Sequence, residues 1–374
     1  METKQKKTKL VMSLLALAGL AVFSLFAVGG SLEPSAPPGP TMKTLAEVEP
    51  RVPIRASDLP LVITEPNSYY LVEDINFTNT ANHAITINCN DVTIDLMGYT
   101  LKGPDSGINS GIYMYGRTNV EIRNGTIRDF GLPAIYENSS TNSSSHRVVN
   151  IRALSNGFGI YLYGYGHLIK DCTAAENGTD GIHAGSGCTV TGNTAYQNGS
   201  YGIYAGTGCT VTGNTAYNNG TYGIYAGSGS TVTGNTANYN GGSGIYAGYG
   251  CTISGNTIYA NQGKGIHTSY CCMVTANTVY LNNLSDTVNW AGIYAYNDCL
   301  VKGNIVRSNK QNNIYVYASD NAIEENLVTD SPGNGIYFNS TGNFYANNRA
   351  SGNGTNYGGT LPSGGGDGGG NASF

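Results

Sequence analysis

The sequence predicts an all-β fold: a solenoid in which one chain winds a parallel β-helix. Three observations point there. First, Gly181, Gly202, Gly223, Gly244 and Gly265 open near-identical units such as GIYAGTGCTVTGNTAYNNGTY, spaced by 21 residues. A fixed period of this size marks a repeat architecture. Second, apolar residues alternate over short runs, as in Cys209-Thr-Val211 and Ile203-Tyr-Ala205, which is the pattern of half-buried strands. Third, Gly and Asn separate the runs, as at Gly192-Asn193 and Asn198-Gly199, and both residues favour turns. No window has a helical period. One such unit cannot bury its own apolar face, but stacked copies can. Coils hydrogen-bonded edge to edge then rise by about 4.8 Å each.

The stack can be read in columns. Val190, Val211, Val232, Ile253, Val274 and Val301 form one inward column. Ile182, Ile203, Ile224, Ile245, Ile266, Ile293, Ile314 and Ile336 form another. Asn193, Asn214, Asn235, Asn256, Asn277, Asn304 and Asn326 form a third, read as an asparagine ladder at a corner.

These units, with the earlier NDVTIDLMGYTLKG (90–103) and TNVEIRNGTIRDFG (118–131), resemble the right-handed parallel β-helix repeat proteins. That superfamily includes pectate lyases, polygalacturonases and alginate epimerases. The resemblance covers roughly Tyr69 to Gly354 and supplies the expected right hand. It implies a fold rather than one activity. The expectation is therefore a single-stranded right-handed parallel β-helix of about thirteen coils.

Taken in order, residues 1–30 read as an export segment: Lys4, Lys6, Lys7 and Lys9 precede the apolar run Leu10–Val28. Cleavage before Gly30 makes it a signal peptide. Left uncut, its 19 apolar residues are long enough to act as a membrane anchor, the sole membrane contact expected. Both readings export the rest of the chain, to the cell surface, the periplasm or the medium. Residues 31–60 are proline-rich and read as a linker or N-terminal arm. Residues 61–354 are the β-helix, with a loop leaving the stack at 137–145 and about six extra residues near Leu284–Trp290, where Ile266 and Ile293 stand 27 apart. Residues 355–374 are a glycine-rich tail expected to be flexible. Of the 374 residues, 53 are Gly and 11% are charged, with a net charge of −5, so no basic stripe exists for nucleic acid.

Candidate sites fall into four groups. Cys188, Cys209, Cys251, Cys272 and Cys299 share an inward column that Ser230 interrupts; a buried, unbridged column of small side chains is expected, against disulfides or a metal. Thr189/Thr191, Thr210/Thr212, Thr231/Thr233 and Thr252/Ser254 form an outward array like the ice-binding face of β-helical antifreeze proteins, or simply exposed strand. Tyr204, Tyr225, Tyr246, Tyr294, Tyr315 and Tyr337, with His183 and His267, stack in one outward column, and Tyr196, Tyr217, Tyr259 and Tyr280 in a second. Rings facing water suit sugar contact. Finally, Asp95, Arg123 and Lys170 align in one outward column of the early coils, with Glu121 and Arg147 beside it. The resembling lyases use acidic residues to hold Ca²⁺ and an Arg or Lys as base, so this patch is the candidate catalytic site if the chain is an enzyme. It lacks clustered carboxylates, and no metal or other cofactor is expected outside that lyase alternative. His83, His146 and His167 show no evident partners. The leading reading is an exported, non-enzymatic scaffold that contacts polysaccharide. The alternatives are a polysaccharide lyase, epimerase or hydrolase, and an ice-binding protein.

Overall fold

Alternating apolar runs and Asn-Gly turns build a three-faced solenoid. The computed structural model describes residues 50–374 except 140, 288–289 and 364–365. The expected export segment and most of the proline-rich arm lie outside these residues. Residues Arg51–Phe374 form one compact unit.

Each regular coil carries three strands. The first face has strands such as Thr189–Thr191 and Thr210–Thr212, and the second Thr194–Tyr196 and Thr215–Tyr217. The third has Ile182–Ser186, Ile203–Ala205 and Ile224–Ala226. Faces one and two belong to one 26-stranded sheet, because the long strands Glu121–Arg128 and Arg147–Leu154 run through both. Face three is a separate 14-stranded sheet. Pairing is parallel and in register with the repeat: Thr210 lies over Thr189 and Val211 over Val190.

The rod exceeds the expected thirteen coils. Face three alone has 14 rungs, and a bridge between Tyr345 and Asp367 begins another turn. Extra coils were added at both ends. Val52–Ile54, placed in the arm, pairs with Tyr69–Leu71. In the supposedly flexible tail, Thr355–Gly359 pairs with Asn334–Phe338, and Ala372–Ser373 pairs with Arg349–Ala350. The tail docks because Asn371 continues the asparagine ladder, its Oδ1 accepting from the Asn348 N–H at 3.1 Å. The Tyr357 hydroxyl also donates to the Asn348 carbonyl at 2.9 Å.

The inward columns are fully buried from Val190 to Val301 and from Ile182 to Ile336. Each such side chain contributes about 1.5–3 kcal/mol by leaving water. Gly181 sits where a Cβ would come within 2.6 Å of Asn198 Nδ2, so the corner closes only over glycine.

Every corner carries a polar ladder. The expected one is present: Asn214 Nδ2 donates to Asn235 Oδ1 at 3.0 Å and to the Val190 carbonyl at 2.8 Å. A second, unforeseen ladder runs through Asn177, Asn198, Asn219, Asn240, Asn261 and Asn282 at the next corner. The third corner holds the cysteine column, buried and unbridged. Its thiols are more than small fillers. Cys209 Sγ accepts from the Cys188 N–H at 3.3 Å and donates to the Gly185 carbonyl at 3.1 Å, and Ser230 Oγ does the same work one coil on. His146 and His167 extend this ladder downwards and Asn321 and Asn343 upwards.

Candidate functional site

The early charged patch assembles as the spacing implied. Asp95 pairs with Arg123 across the first face, and Val149 and then Lys170 follow in the same column. Glu121 and Arg147 are neighbours in the next column. The patch is self-neutralised. Arg123 Nε lies 3.0 Å from Asp95 Oδ2, and its Nη1 lies 2.8 Å from Glu121 Oε1. Arg147 Nε reaches Glu121 Oε2 at 2.9 Å, and Lys170 Nζ lies 3.6 Å from Asp171. Burial raises the Asp95 pKa, but the Met97 N–H, Arg123 and Asn124 together leave it below the ordinary value. Glu121 therefore spends both oxygens on guanidinium groups, and Asp95 gives Oδ2 to Arg123 and Oδ1 to the Met97 N–H and the Asn124 amide, which does not fit a calcium site. Among the described residues, no group of three or more His, Cys, Asp or Glu side chains is placed to hold a metal ion.

The tyrosine column is longer than its repeat region. On face three, an aromatic column runs from His83 through Tyr113, Tyr136, Tyr161, His183, Tyr204, Tyr225, Tyr246, His267, Tyr294 and Tyr315 to Tyr337; its neighbours stack from Tyr161 to Tyr246 and from Tyr294 to Tyr337, while Tyr136 and His267 meet theirs edge to face. Tyr204 and Tyr225 are 4.7 Å apart with planes 2° from parallel. The coil rise is close to ring-stacking distance, so in the runs from Tyr161 to Tyr246 and from Tyr294 to Tyr337 each face packs on the ring above or below. Solvent meets ring edges and hydroxyls, not the open faces expected for sugar stacking. Tyr315 leaves even less exposed: it is 2% accessible, held between Tyr294 and Tyr337. It is not a contact residue. Tyr204, Tyr225, Tyr246, Tyr294 and Tyr337 are half-buried. Burial first, then neighbouring phenols, raises the pKa of Tyr204. Its hydroxyl is therefore a proton donor at any ordinary pH. The second column, Tyr196–Tyr217 and Tyr259–Tyr280, stacks at 4.9 and 5.0 Å on face two.

Beside the ladder lies an open groove of about 330 Å³, lined by Tyr163, His183, Tyr204 and Tyr225 on one side and Gly164, Gly185, Gly206 and Gly227 on the other. The floor is bare because coils meet closely there: a Cβ on Gly206 would sit 2.8 Å from the Gly185 carbonyl oxygen. Ser186, Thr207 and Ser228 complete the wall, and no lysine, arginine or carboxylate lines it.

One polar pair behind this groove escaped the sequence reading. His183 Nδ1 lies 3.0 Å from Asp180 Oδ2, with the ring stacked between Tyr161 at 4.1 Å and Tyr204 at 4.2 Å. Asp180 is buried and also accepts the Tyr201 N–H at 3.2 Å. The Asp-x-x-His spacing was the available signal.

The histidines thought to lack partners have them. His83 stacks on Tyr113 at 4.2 Å. His146 stacks on His167 at 4.9 Å, and its Nε2 lies 3.0 Å from Ser143 Oγ and 3.4 Å from Glu137 Oε2. His146 Nδ1 accepts the Val120 N–H, so the ring proton sits on Nε2 and points at Ser143 and Glu137. Glu137 is wholly buried and accepts the N–H groups of Gly116, Arg117 and Ser139. The loop at 137–145 is thus pinned at its root rather than thrown clear. This cluster has no opening to solvent and serves the fold.

With this geometry in hand, comparison defines the class. Residues 61–236 and 159–299 match the family described as "Right handed beta helix region". The match spans more than half of the chain, which belongs to that family. Residues 247–368 also match the family described as "Periplasmic copper-binding protein (NosD)". Among solved structures, the A-module of the Azotobacter vinelandii mannuronan C-5 epimerase AlgE6 is similar, with a TM-score of 0.51 and 18% identity over 87% of this chain and 88% of that one. The periplasmic alginate epimerase AlgG gives 0.45 and 13% over 87% and 83%. The Dettilon tailspike protein gives 0.42 and 16% over 80% and 60%. At these identities the likeness is one of fold. No curated protein matches significantly.

Proposed function

We propose that the protein is an exported solenoid that binds a neutral polysaccharide along its third face. One observation carries this reading: the groove in which the phenols of Tyr163, Tyr204 and Tyr225 face a glycine floor. Tyr204 and Tyr225 stand on successive coils and His183 takes the same position one coil below, so the groove offers polar side-chain atoms to a polymer lying parallel to the rod. The glycine floor lets that polymer approach the backbone closely. The lining carries no lysine, arginine or carboxylate, which favours hydroxyl-rich over anionic glycans. The fold's use by an epimerase named for mannuronan supports a polysaccharide partner in general terms.

The test is titration with neutral and acidic polysaccharides of the native protein and of Tyr204→Phe/Tyr225→Phe, which keeps the ring stack and removes two hydroxyls. At about 0.5–1.5 kcal/mol per hydrogen bond, losing both lowers affinity for a neutral glycan by about fivefold to a hundredfold, independent of salt. Absence of binding to every glycan, or unchanged binding by the variant, refutes the reading.

A second reading is favoured by a specific observation. The Asp180–His183 pair at the groove wall can hold a proton-accepting imidazole in one tautomer. This moves the carbohydrate-active-enzyme alternative from the early charged coils to His183. Release of unsaturated or reducing sugars by the native protein, abolished in His183→Gln, would establish it.

A further inference from the structure

The groove of the third face is bracketed by two exposed tyrosines. Its outer wall is a single position of the repeat. Tyr165 pairs with Ser186, and the Gly187, Gly208 and Gly229 N–H groups then donate to the Thr207, Ser228 and Tyr249 carbonyls of the coils above, at 2.8, 2.8 and 2.7 Å. Tyr165, Ser186, Thr207, Ser228 and Tyr249 therefore stand one above another. Tyr165 and Tyr249 are 84 residues apart, four periods of 21, which sets them about 19 Å apart along the rod at about 4.8 Å per coil. Each wall residue precedes a glycine that turns the corner with positive φ, from Gly166 at 67° to Gly250 at 65°. The same backbone carries Ser or Thr in the middle and Tyr at either end, so packing does not dictate the tyrosines.

These two rings differ from the stacked column opposite. Tyr165 is 52% exposed and Tyr249 57%, whereas Tyr204 and Tyr225 are half-buried under their neighbours. Among the described residues no aromatic ring packs on either of them. One coil above Tyr249 the pattern changes: Tyr270 meets Tyr296 edge-on at 4.7 Å, and Tyr296 stacks on Tyr317 at 5.0 Å. The glycine floor runs out at the same level, with Ser269 in the place that Gly248 holds one coil below.

We infer that Tyr165 and Tyr249 are sugar-stacking platforms, so that the groove takes an oligosaccharide stretch of defined length rather than an unlimited polymer face. This rests on the proposal that a neutral glycan lies in the groove. A pyranose presents a face of C–H groups to the electron-rich face of an aromatic ring, and covering both removes apolar surface from water. Only a ring that its neighbours leave uncovered can act in this way. A chain reaching across about 19 Å meets both platforms, with the wall hydroxyls of Ser186, Thr207 and Ser228 between them. A disaccharide meets one.

The experiment titrates the native protein and its variants with starch, dextran, galactomannan and hydroxyethylcellulose, then with the disaccharide to octasaccharide series of each polymer that binds. Both side chains are exposed, so the substitutions leave the core intact. Tyr165→Ala and Tyr249→Ala should each lower affinity for the polymer about fivefold, and the double variant by the product. Tyr165→Phe and Tyr249→Phe should recover most of what alanine loses, the opposite of Tyr204→Phe/Tyr225→Phe, where the hydroxyls matter. Affinity should climb with chain length and level off once both rings are spanned. Binding that neither alanine change weakens overturns the platforms and leaves the groove standing. Equal losses in the phenylalanine and alanine variants overturn stacking. A disaccharide bound as tightly as its polymer overturns the two-ended length. Failure of the native protein to bind any of the four polymers overturns the groove and the platforms together.

Discussion

Replacing Asn235 by alanine isolates what the amide ladders contribute. In the native rod, Asn235 Nδ2 donates to the Val211 carbonyl at 2.9 Å and to Asn256 Oδ1 at 3.0 Å. Its Oδ1 accepts the Asn214 backbone N–H at 2.9 Å and the Asn214 amide at 3.0 Å. The side chain is buried. Truncation strands the Asn214 N–H completely, at about 1–3 kcal/mol, and removes one bond from each of three buried groups that keep or regain partners, at about 0.5–1 kcal/mol each, while the part-buried Thr233 carbonyl, 3.2 Å from Nδ2, regains water at little cost. The expected loss is about 3–4 kcal/mol. With a urea m-value near 3 kcal/mol/M, that lowers the midpoint by about 1 M. Thr210→Ala, on the exposed side of the first face, should stay within about 0.5 kcal/mol. Urea melts followed by tyrosine fluorescence and circular dichroism read both. Coils contact only their neighbours, so the loss concentrates in the regular repeats. Equal midpoints for the two variants would refute the idea that amides hold the corners.

Other predictions follow from the buried polar groups. Burial raises the Glu137 pKa, but His146 and the Gly116 and Arg117 N–H groups outweigh it, and the folded value lies below the ordinary one. Its stabilisation is thus present above the unfolded pKa of about 4.3 and is lost as pH falls through the folded value. The gap in melting temperature between native protein and Glu137→Gln should be widest near pH 7 and narrow in acid; a constant gap would contradict this. A thiol reagent should label exposed Cys271 in the native protein but reach the buried column from Cys188 to Cys299 only after denaturation. Rapid native labelling of Cys188 would show the column is open. Arg123→Ala with Lys170→Ala should leave glycan binding unchanged at low and high salt, because the patch is already neutralised; loss of binding to an acidic glycan would restore that patch as a site.

The regular columns were legible because a 21-residue period fixes which side chains coincide. Val190, Ile182 and Asn193 each predict the residue above. Even Asp95, Arg123 and Lys170 were aligned across unequal coils, since Ile94, Ile122, Val148 and Ile169 mark the inward face. The period hid other things. His83, Tyr113, Tyr136 and Tyr161 sit on coils of varying length, so the 21-residue period shows the aromatic ladder only from His183 onward. The Ile-Tyr pairs at 112–113, 135–136 and 160–161 were the clue. Register shows which rings coincide but not which way they face, so stacking with neighbours was mistaken for availability to sugars. Glu137 opened a polar stretch and looked like the start of a surface loop. Only the fold reveals three N–H groups converging on it. Glycine content suggested a loose tail, yet Asn371 falls one coil above Asn348 and completes the ladder.

Whether glycan lies along the tyrosine and glycine groove of the third face can be read from a nitration footprint. Tetranitromethane modifies accessible tyrosines, and peptide mapping with and without a saturating neutral polysaccharide shows which are covered. Glycan in the groove protects Tyr163, Tyr204 and Tyr225 and leaves unchanged Tyr239, which is exposed beside the second face. Protection at Tyr239 with undiminished nitration at Tyr163, Tyr204 and Tyr225 would contradict it.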